Sequence, residues 1–370
     1  MIDHLGPAGA QQQMVTLARG LKEREHTVEL FLYYPEIDVS KERLREAGIA
    51  VHESPKATRF DLGPPKALRE LIRSASFDVS ISFLTTPNIY NVLAGLSQDT
   101  KTVVSERSAV PDSGLSATMR MRYNAYRLAD HIVINSRHQH ERLCSEFPWM
   151  TDMSTAIPNG VDLERFSPLP AGESGIDGDA RADSAPLFLA VGSVHRGKNF
   201  LGLIEALKLY RERYDEIPTV DWAGREPSEQ SDRDAYEDAQ NRIERYGLSA
   251  NWNWLGARQD VPELLRLHDA VIHPSHFEGL PNAVCEALAA GKPVLASNVC
   301  DHPWLVADGE RGFLFDPNEP ESIAKAMRDF ALLSSDRRSS MASNSRSFAE
   351  QALSVDVLVS AYERLIGSLQ

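Results

Sequence analysis

The chain has 370 residues, a formal net charge of −14, 42% hydrophobic and 25% charged residues, the composition of a globular protein with room for two domains. That acidity excludes nucleic acid as a partner, because phosphate binding needs a basic field, and no apolar run approaches the ~20 residues that span a bilayer. Three scattered cysteines, Cys144, Cys285 and Cys300, fit a reducing compartment and offer no metal-ligand spacing.

The charge is uneven. Residues 1–165 carry 19 Lys+Arg against 21 Asp+Glu, and the remainder carries 20 against 32. The chain opens MIDHLGPAGAQ, which leaves only Ile2 to Leu5 for a strand ahead of a glycine loop. Either that strand is short and exposes a central sheet edge, or the natural start lies upstream of Met1. Next, AQQQMVTLARGLKERE places Met14, Leu17, Ala18 and Leu21 on one helical face. The apolar runs TVELFLY, IAVHE, DVSISFL, TKTVVSE, HIVIN and STAIP then alternate with amphipathic stretches, which predicts a parallel sheet wrapped by helices. VVSERSAVP (Val103–Pro111) follows a strand and aims Glu106 and Arg107 at a cleft. Asn135-Ser136 opens a helix, with Ser136 as its cap. Two stretches, Lys56–Arg73 and Arg120–Arg142, are locally basic and suit either a solvated face or a surface meeting anionic headgroups.

SPLPAGESGIDGDARADSAP has almost nothing to bury and reads as a linker. Beyond it the alternation repeats, through APLFLAVGS, NFLGLIEALKLYRERY, TVDWAG, DAYEDAQNRIERYG, NWNWLG, VPELLRLH, DAVIHPS and PVLASN. Two doubly wound domains are expected, 1–166 and 186–345, joined by 167–185, with 346–370 as a helix packing back toward the first.

The stretch HPSHFEGLPNAVCEALAAGKPV (His273–Val294) is the most informative. A buried strand leads into a Glu-Gly-Leu-Pro turn and a helix running from Pro281 to Gly291, with Glu278 in the turn and Glu286 two turns into the helix. Free first-turn N–H groups and the helix dipole make such a junction an anion site. Carboxylates on either side of it suit a sugar nucleotide: hexose hydroxyls, diphosphate, ribose hydroxyls. His273 and His276 have no carboxylate or thiolate partner in a zinc pattern, so no metal is expected. Trp252 and Trp254 read as strand packing.

The chain resembles a retaining glycosyltransferase of family 4, with the two-domain GT-B architecture. The likeness rests on LGPAGAQQ (Leu5–Gln12), IPNGVDLERFSP (Ile157–Pro168), AVGSVHRGKNFLGLIEA (Ala190–Ala206), LGARQDVPELL (Leu255–Leu265), HPSHFEGLPNAVCEALAAGKPVLAS (His273–Ser297) and DGERGFLFDP (Asp308–Pro317). It implies two Rossmann-like parallel-sheet domains and a metal-independent reaction with a UDP-sugar as donor substrate. By the same resemblance Glu278 contacts donor-sugar hydroxyls, Gly279 and Leu280 offer backbone N–H groups, and Asn282 joins them. Glu286 holds the ribose, Lys198 neutralises the leaving diphosphate, and Arg258 reads the base edge through its backbone. Gly9 lets the backbone approach phosphate or acceptor, and Arg107 lies near donor phosphate or acceptor. Glu278, Lys198 and Arg107 form the expected catalytic set.

Departures from the family pattern concern the diphosphate. Ser193 stands where Arg is usual, with Arg196 as a substitute cation; Gln11 and Gln12 replace Glu-Arg, and Trp304 replaces Glu. The function implied is transfer of a hexose or N-acetylhexosamine to a saccharide or lipid-linked acceptor in bacterial surface polysaccharide synthesis. A cytoplasmic location is implied too, peripheral at the inner membrane face. A UDP-sugar epimerase of the same fold and a catalytically weak sugar-nucleotide-binding protein remain as alternatives.

Overall fold

The computed structural model describes residues 1–58, 61–108, 114–168, 185–214 and 216–370. The chain forms two compact units, Met1–Gly160 with Ser354–Gln370, and Val161–Leu353.

In the first unit α1 (Gly9–Glu23), β1 (Glu29–Leu32), α2 (Lys41–Glu46), β2 (Ala50–Glu53), α3 (Gly63–Ala75), β3 (Val79–Phe83) and α4 (Thr85–Gly95) follow one another. Then come β4 (Lys101–Glu106), α5 (Ala117–Ala125), β5 (His131–Ile134), α6 (Arg137–Glu146) and β6 (Ser154–Ala156). β3 to β6 pair in sequence order and β1 pairs with β2, all parallel. The face of α1 read from the sequence is the buried one: Met14, Leu17, Ala18 and Leu21 join Leu30, Phe83 and Val103 in one core. Ser136 caps α6 through the Gln139 N–H at 3.1 Å.

The short opening segment is not a strand of its own. Met1 O accepts from Phe83 N–H at 3.2 Å and Ile2 N–H reaches Phe31 O at 3.1 Å. Met1–Ile2 therefore lies between β1 and β3 and bridges the two sheets. The closing helix of the chain, Val355–Leu369, covers α1 in the same unit, with Val359 2.5 Å from the place where a Cβ on Gly20 would lie.

The second unit contains β7 (Leu187–Val191), α7 (Phe200–Arg213), β8 (Thr219–Ala223), α8 (Gln230–Arg245), β9 (Trp252–Gly256), α9 (Val261–Leu267) and β10 (Ala270–His273). α10 (Asn282–Ala289), β11 (Val294–Ser297), α11 (His302–Val306), β12 (Gly312–Phe315), α12 (Pro320–Ala331) and α13 (Ser335–Ala352) complete it, and the closing helix of the first unit is α14. The strand order is β12-β11-β10-β7-β8-β9, parallel throughout. It reverses between β7 and β10, which are hydrogen-bonded neighbours. In open sheets of this kind ligands bind beyond the strand C-termini at that reversal. Phe188, Phe200, Trp222, Trp252 and Phe330 fill one side of the sheet, with Trp222 stacked on Trp252 at 6.0 Å; Leu189, Val284, Leu288 and Leu305 fill the other.

Two boundaries differ from the sequence expectation. Val161 and Phe166 pack into the second unit's core, so that unit starts before 166. It also runs past 345, because α13 continues to Ala352 and Ala349 is buried with Leu353 beside α10. Only the helix after it belongs to the first unit. The expected linker, 167–185, lies outside the described residues from 169 to 184.

Candidate active site

The site grows from the two strands at the reversal. After β7 the chain turns through Gly192 into a tight turn at Arg196–Lys198. A Cβ on Gly192 would stand 3.2 Å from Lys198 Cε, so glycine leaves the lysine stem its path. Asn199, at φ +56°, ends the turn and caps α7: its Oδ1 accepts from Gly202 N–H at 3.2 Å and its Nδ2 donates to Pro317 O at 2.8 Å. After β10, the second turn is tied to the first by His276 N–H to Gly197 O at 3.0 Å.

These two turns bring Lys198 and Glu278 together, Nζ to Oε1 at 2.5 Å, with side chains only 17% and 15% exposed. His273, the last residue of β10, places Nε2 3.0 Å from the same Oε1. Glu278 N–H points to Cys300 Sγ at 3.4 Å. Burial alone pushes the Glu278 carboxyl up, yet the His273 hydrogen bond and the Lys198 charge outweigh it and hold the group far below the ordinary carboxylate range. Burial also lowers the His273 pKa, so this imidazole is neutral at pH 7 and the cation of the group is Lys198. An ionised carboxylate only accepts, which assigns the His273 proton to Nε2. The sequence offered His273 no carboxylate partner; the turn supplies one. Spacing held one signal for it, a His at a strand end five residues before the turn glutamate.

α10 begins at Asn282, and Cys285 N–H to Pro281 O at 3.2 Å closes its first turn. The donors ahead of that bond have no intrahelical acceptor. Leu280 is buried and anchors the turn against Val284 and Leu288. Glu286 lies one turn into α10, not two: it follows Asn282, where the helix begins, by four residues. Burial pushes the Glu286 carboxyl up to about 7, offset in part by the charge of Arg165. Arg165 in ERFSP is a neighbour that spacing did not flag.

The remaining expected residues divide. Ser193 and Arg196 are exposed, and the Arg196 N–H donates to Asp232 Oδ1 at 2.9 Å. The Arg258 guanidinium is paired with Asp260, with Nε to Oδ1 at 2.7 Å. Gly9, exposed, is the first residue of α1 in the other unit.

Arg107 needs correction. It does not present a free guanidinium: Nε donates to Ser105 Oγ at 3.0 Å, Nη1 to Asn159 Oδ1 at 2.6 Å and Nη2 to Tyr362 Oη at 3.1 Å. Its plane lies 3.7 Å over the Phe83 ring, and burial lowers its pKa. Its donors tie β4 to α14 and to Asn159. Glu106 is not aimed outward either: it is 1% exposed and pairs with Arg122 at 3.1 Å, while its other oxygen accepts from the N–H groups of Arg107 and Ser108 at 3.2 Å. The reason is shared. A strand-end residue in a parallel sheet is walled by the helices on both faces, and here α5 and α14 close over this pair.

Residues 177–348 match the family model for glycosyl transferases group 1, and 7–165 match that for glycosyltransferase family 4. The chain is 30% identical over 177 residues to the UDP-Gal:alpha-D-GlcNAc-diphosphoundecaprenol alpha-1,3-galactosyltransferase of Escherichia coli, 47% of this chain and 44% of that protein. It is 32% identical over 108 residues to the lipopolysaccharide glucosyltransferase WaaG of E. coli K12, 29% of each. The chain thus spans less than half the length of these two curated relatives. In structure it is similar to HepE of Anabaena in complex with UDP, with a TM-score of 0.82 at 21% identity over 99% of this chain and 98% of that one. A glycosyltransferase from Rickettsia africae gives 0.83 at 17% identity over 100% and 97%. Together the matched models and the doubly wound units place this chain among the GT-B glycosyltransferases of group 1.

Proposed function

We propose that this protein transfers a hexose or N-acetylhexosamine, with retention of configuration, from a UDP-sugar to a saccharide or lipid-linked acceptor in bacterial surface polysaccharide synthesis. One observation carries this: Lys198 and Glu278 meet at the sheet reversal, beside the N-terminus of α10. The substrates named for the relatives, a UDP-galactose and a diphosphoundecaprenol acceptor in one and a lipopolysaccharide in the other, favour this substrate class. No helix among the described residues is long and apolar enough to cross a membrane; the contact proposed with a lipid-linked acceptor is peripheral.

In this reading the diphosphate draws the Lys198 ammonium from Glu278 and takes N–H groups from Gly279, Leu280 and the Asn282 end of α10. Glu278, ionised, accepts from a sugar hydroxyl. Glu286 accepts from the ribose, Arg258 meets the base through its backbone, and Ser193 with Arg196 borders the phosphates. The C1–O bond to phosphate breaks with its electron pair leaving on UDP. The acceptor oxygen attacks the same face, and its proton passes to the departing phosphate oxygen. Charge grows on the diphosphate in that step, where a fixed cation and oriented dipoles lower the barrier most. Incubation with UDP-sugar and acceptor should release UDP, and Glu286→Ala should cut that rate at least roughly tenfold. Unchanged turnover in the variant would remove the site assignment, and UDP binding without transfer to a broad acceptor panel would favour a sugar-nucleotide-binding protein.

A further inference from the structure

Oε1 of Glu278 has two partners of different kinds. Lys198 approaches on a flexible stem from the turn after β7, and the donor's diphosphate competes for it. His273 approaches from the end of β10, is 3% exposed, and cannot follow a ligand. The edge of the His302 ring packs on it at 5.3 Å and 88°. Ser275 Oγ lies 3.2 Å from the same Nε2, and Ser275 is itself pinned by Ser297 Oγ, which donates to its carbonyl at 2.5 Å. His302 is held in turn by Nδ1 to Ser297 O at 2.7 Å, and burial pushes its pKa down to about 3. The His302 ring thus walls in the His273 ring, whose Nε2–H serves Glu278 Oε1 with Ser275 Oγ as a second acceptor. Glu278 Oε2 takes no protein hydrogen bond among the described residues.

We propose that His273 is a positioning residue for transfer: its Nε2–H holds Glu278 Oε1 after Lys198 has moved to the diphosphate, so that Oε2 stays aimed at a hydroxyl of the transferred sugar. This rests on the donor-site reading above. A carboxylate released from both partners would swing, and a misplaced hydroxyl contact costs rate rather than nucleotide affinity. UDP lacks the sugar, so its binding does not use Glu278 Oε2.

The experiment compares UDP affinity by calorimetry with the kcat of transfer from UDP-sugar, in wild type and three variants. His273→Phe keeps a flat ring without a donor, and its kcat should fall by roughly tenfold or more with UDP Kd within about twofold of wild type. His273→Gln, whose amide N–H reaches the place of Nε2, should recover most of that loss, whereas His273→Asn, which reaches only the place of Nδ1, should not. A Phe variant as fast as wild type overturns the proposal. So does a Gln variant no better than Asn, a comparison that stands even where the Phe variant does not fold. Wild-type protein that binds no UDP overturns the donor-site reading and this role with it; wild-type binding with equal Gln and Asn rates overturns this role alone.

Discussion

Tyr362 Oη accepts a hydrogen bond from Arg107 Nη2 at 3.1 Å across 255 residues of chain. The last helix is thereby tied to the end of β4 through a cation whose three side-chain acceptors, Ser105, Asn159 and Tyr362, are all neutral. Arg107 has the surroundings of an anchor, a desolvated guanidinium over an aromatic face.

Tyr362→Phe keeps the ring in the core and removes only the acceptor. It should lower the unfolding free energy by about 1–3 kcal/mol, since a buried charged donor loses its partner. Urea unfolding of the variant checks this, and UDP affinity should be unchanged. If UDP affinity falls while stability holds, Arg107 serves the ligand and not the fold.

Arg122→Met should destabilise far more, by about 3–5 kcal/mol, because Glu106 at 1% exposure would be left as an unpaired buried charge. Adding Glu106→Gln should return much of that loss. A double-mutant cycle by chemical denaturation reads the coupling, and additive losses would show that the pair is not an energetic unit.

Glu286 makes stability depend on pH. Its carboxyl is raised from 4.5 to about 7 in the folded protein, so the unfolded chain ionises first as pH rises. The stabilisation is full below pH 4.5 and is lost progressively up to about 7. Glu286→Gln should therefore match wild type at pH 4 and exceed it by up to about 3 kcal/mol at pH 8. Thermal melts at both values test the sign; a constant difference would mean that this carboxyl titrates normally.

Lys198→Met removes the ammonium that pairs with Glu278. Transfer should slow by roughly 100-fold with weaker UDP binding, as expected for a fixed charge facing a developing phosphate anion. Retention of wild-type kcat would shift that role to Arg196 or Arg165.

The strands and the faces of the helices were legible because burial repeats every two or 3.6 residues. Met14 to Leu21 on α1 and the runs from DVSISFL to DAVIHPS reflect that period directly. Glu278 and Glu286 were legible for a local reason, since a strand, a glycine turn and a helix start are contiguous in sequence. β12 was not marked as a strand, because Gly312–Phe315 is short and opens on a glycine at φ +155° that sits 1.8 Å, at its hypothetical Cβ, from Val294 O.

By itself, then, the sequence determined two alternating α/β units, an acidic composition and the Glu278 turn leading into the helix of Glu286, the structural parts being consequences of short-range periodicity and turn chemistry. Tertiary structure alone decided which side chains meet. Lys198 reaches Glu278 because β7 and β10, separated by two strands in sequence, are neighbours in the sheet. Arg107 is enclosed because α14 returns to the first unit. Pairings of this kind follow strand order and chain return, and neither leaves a period in the residues.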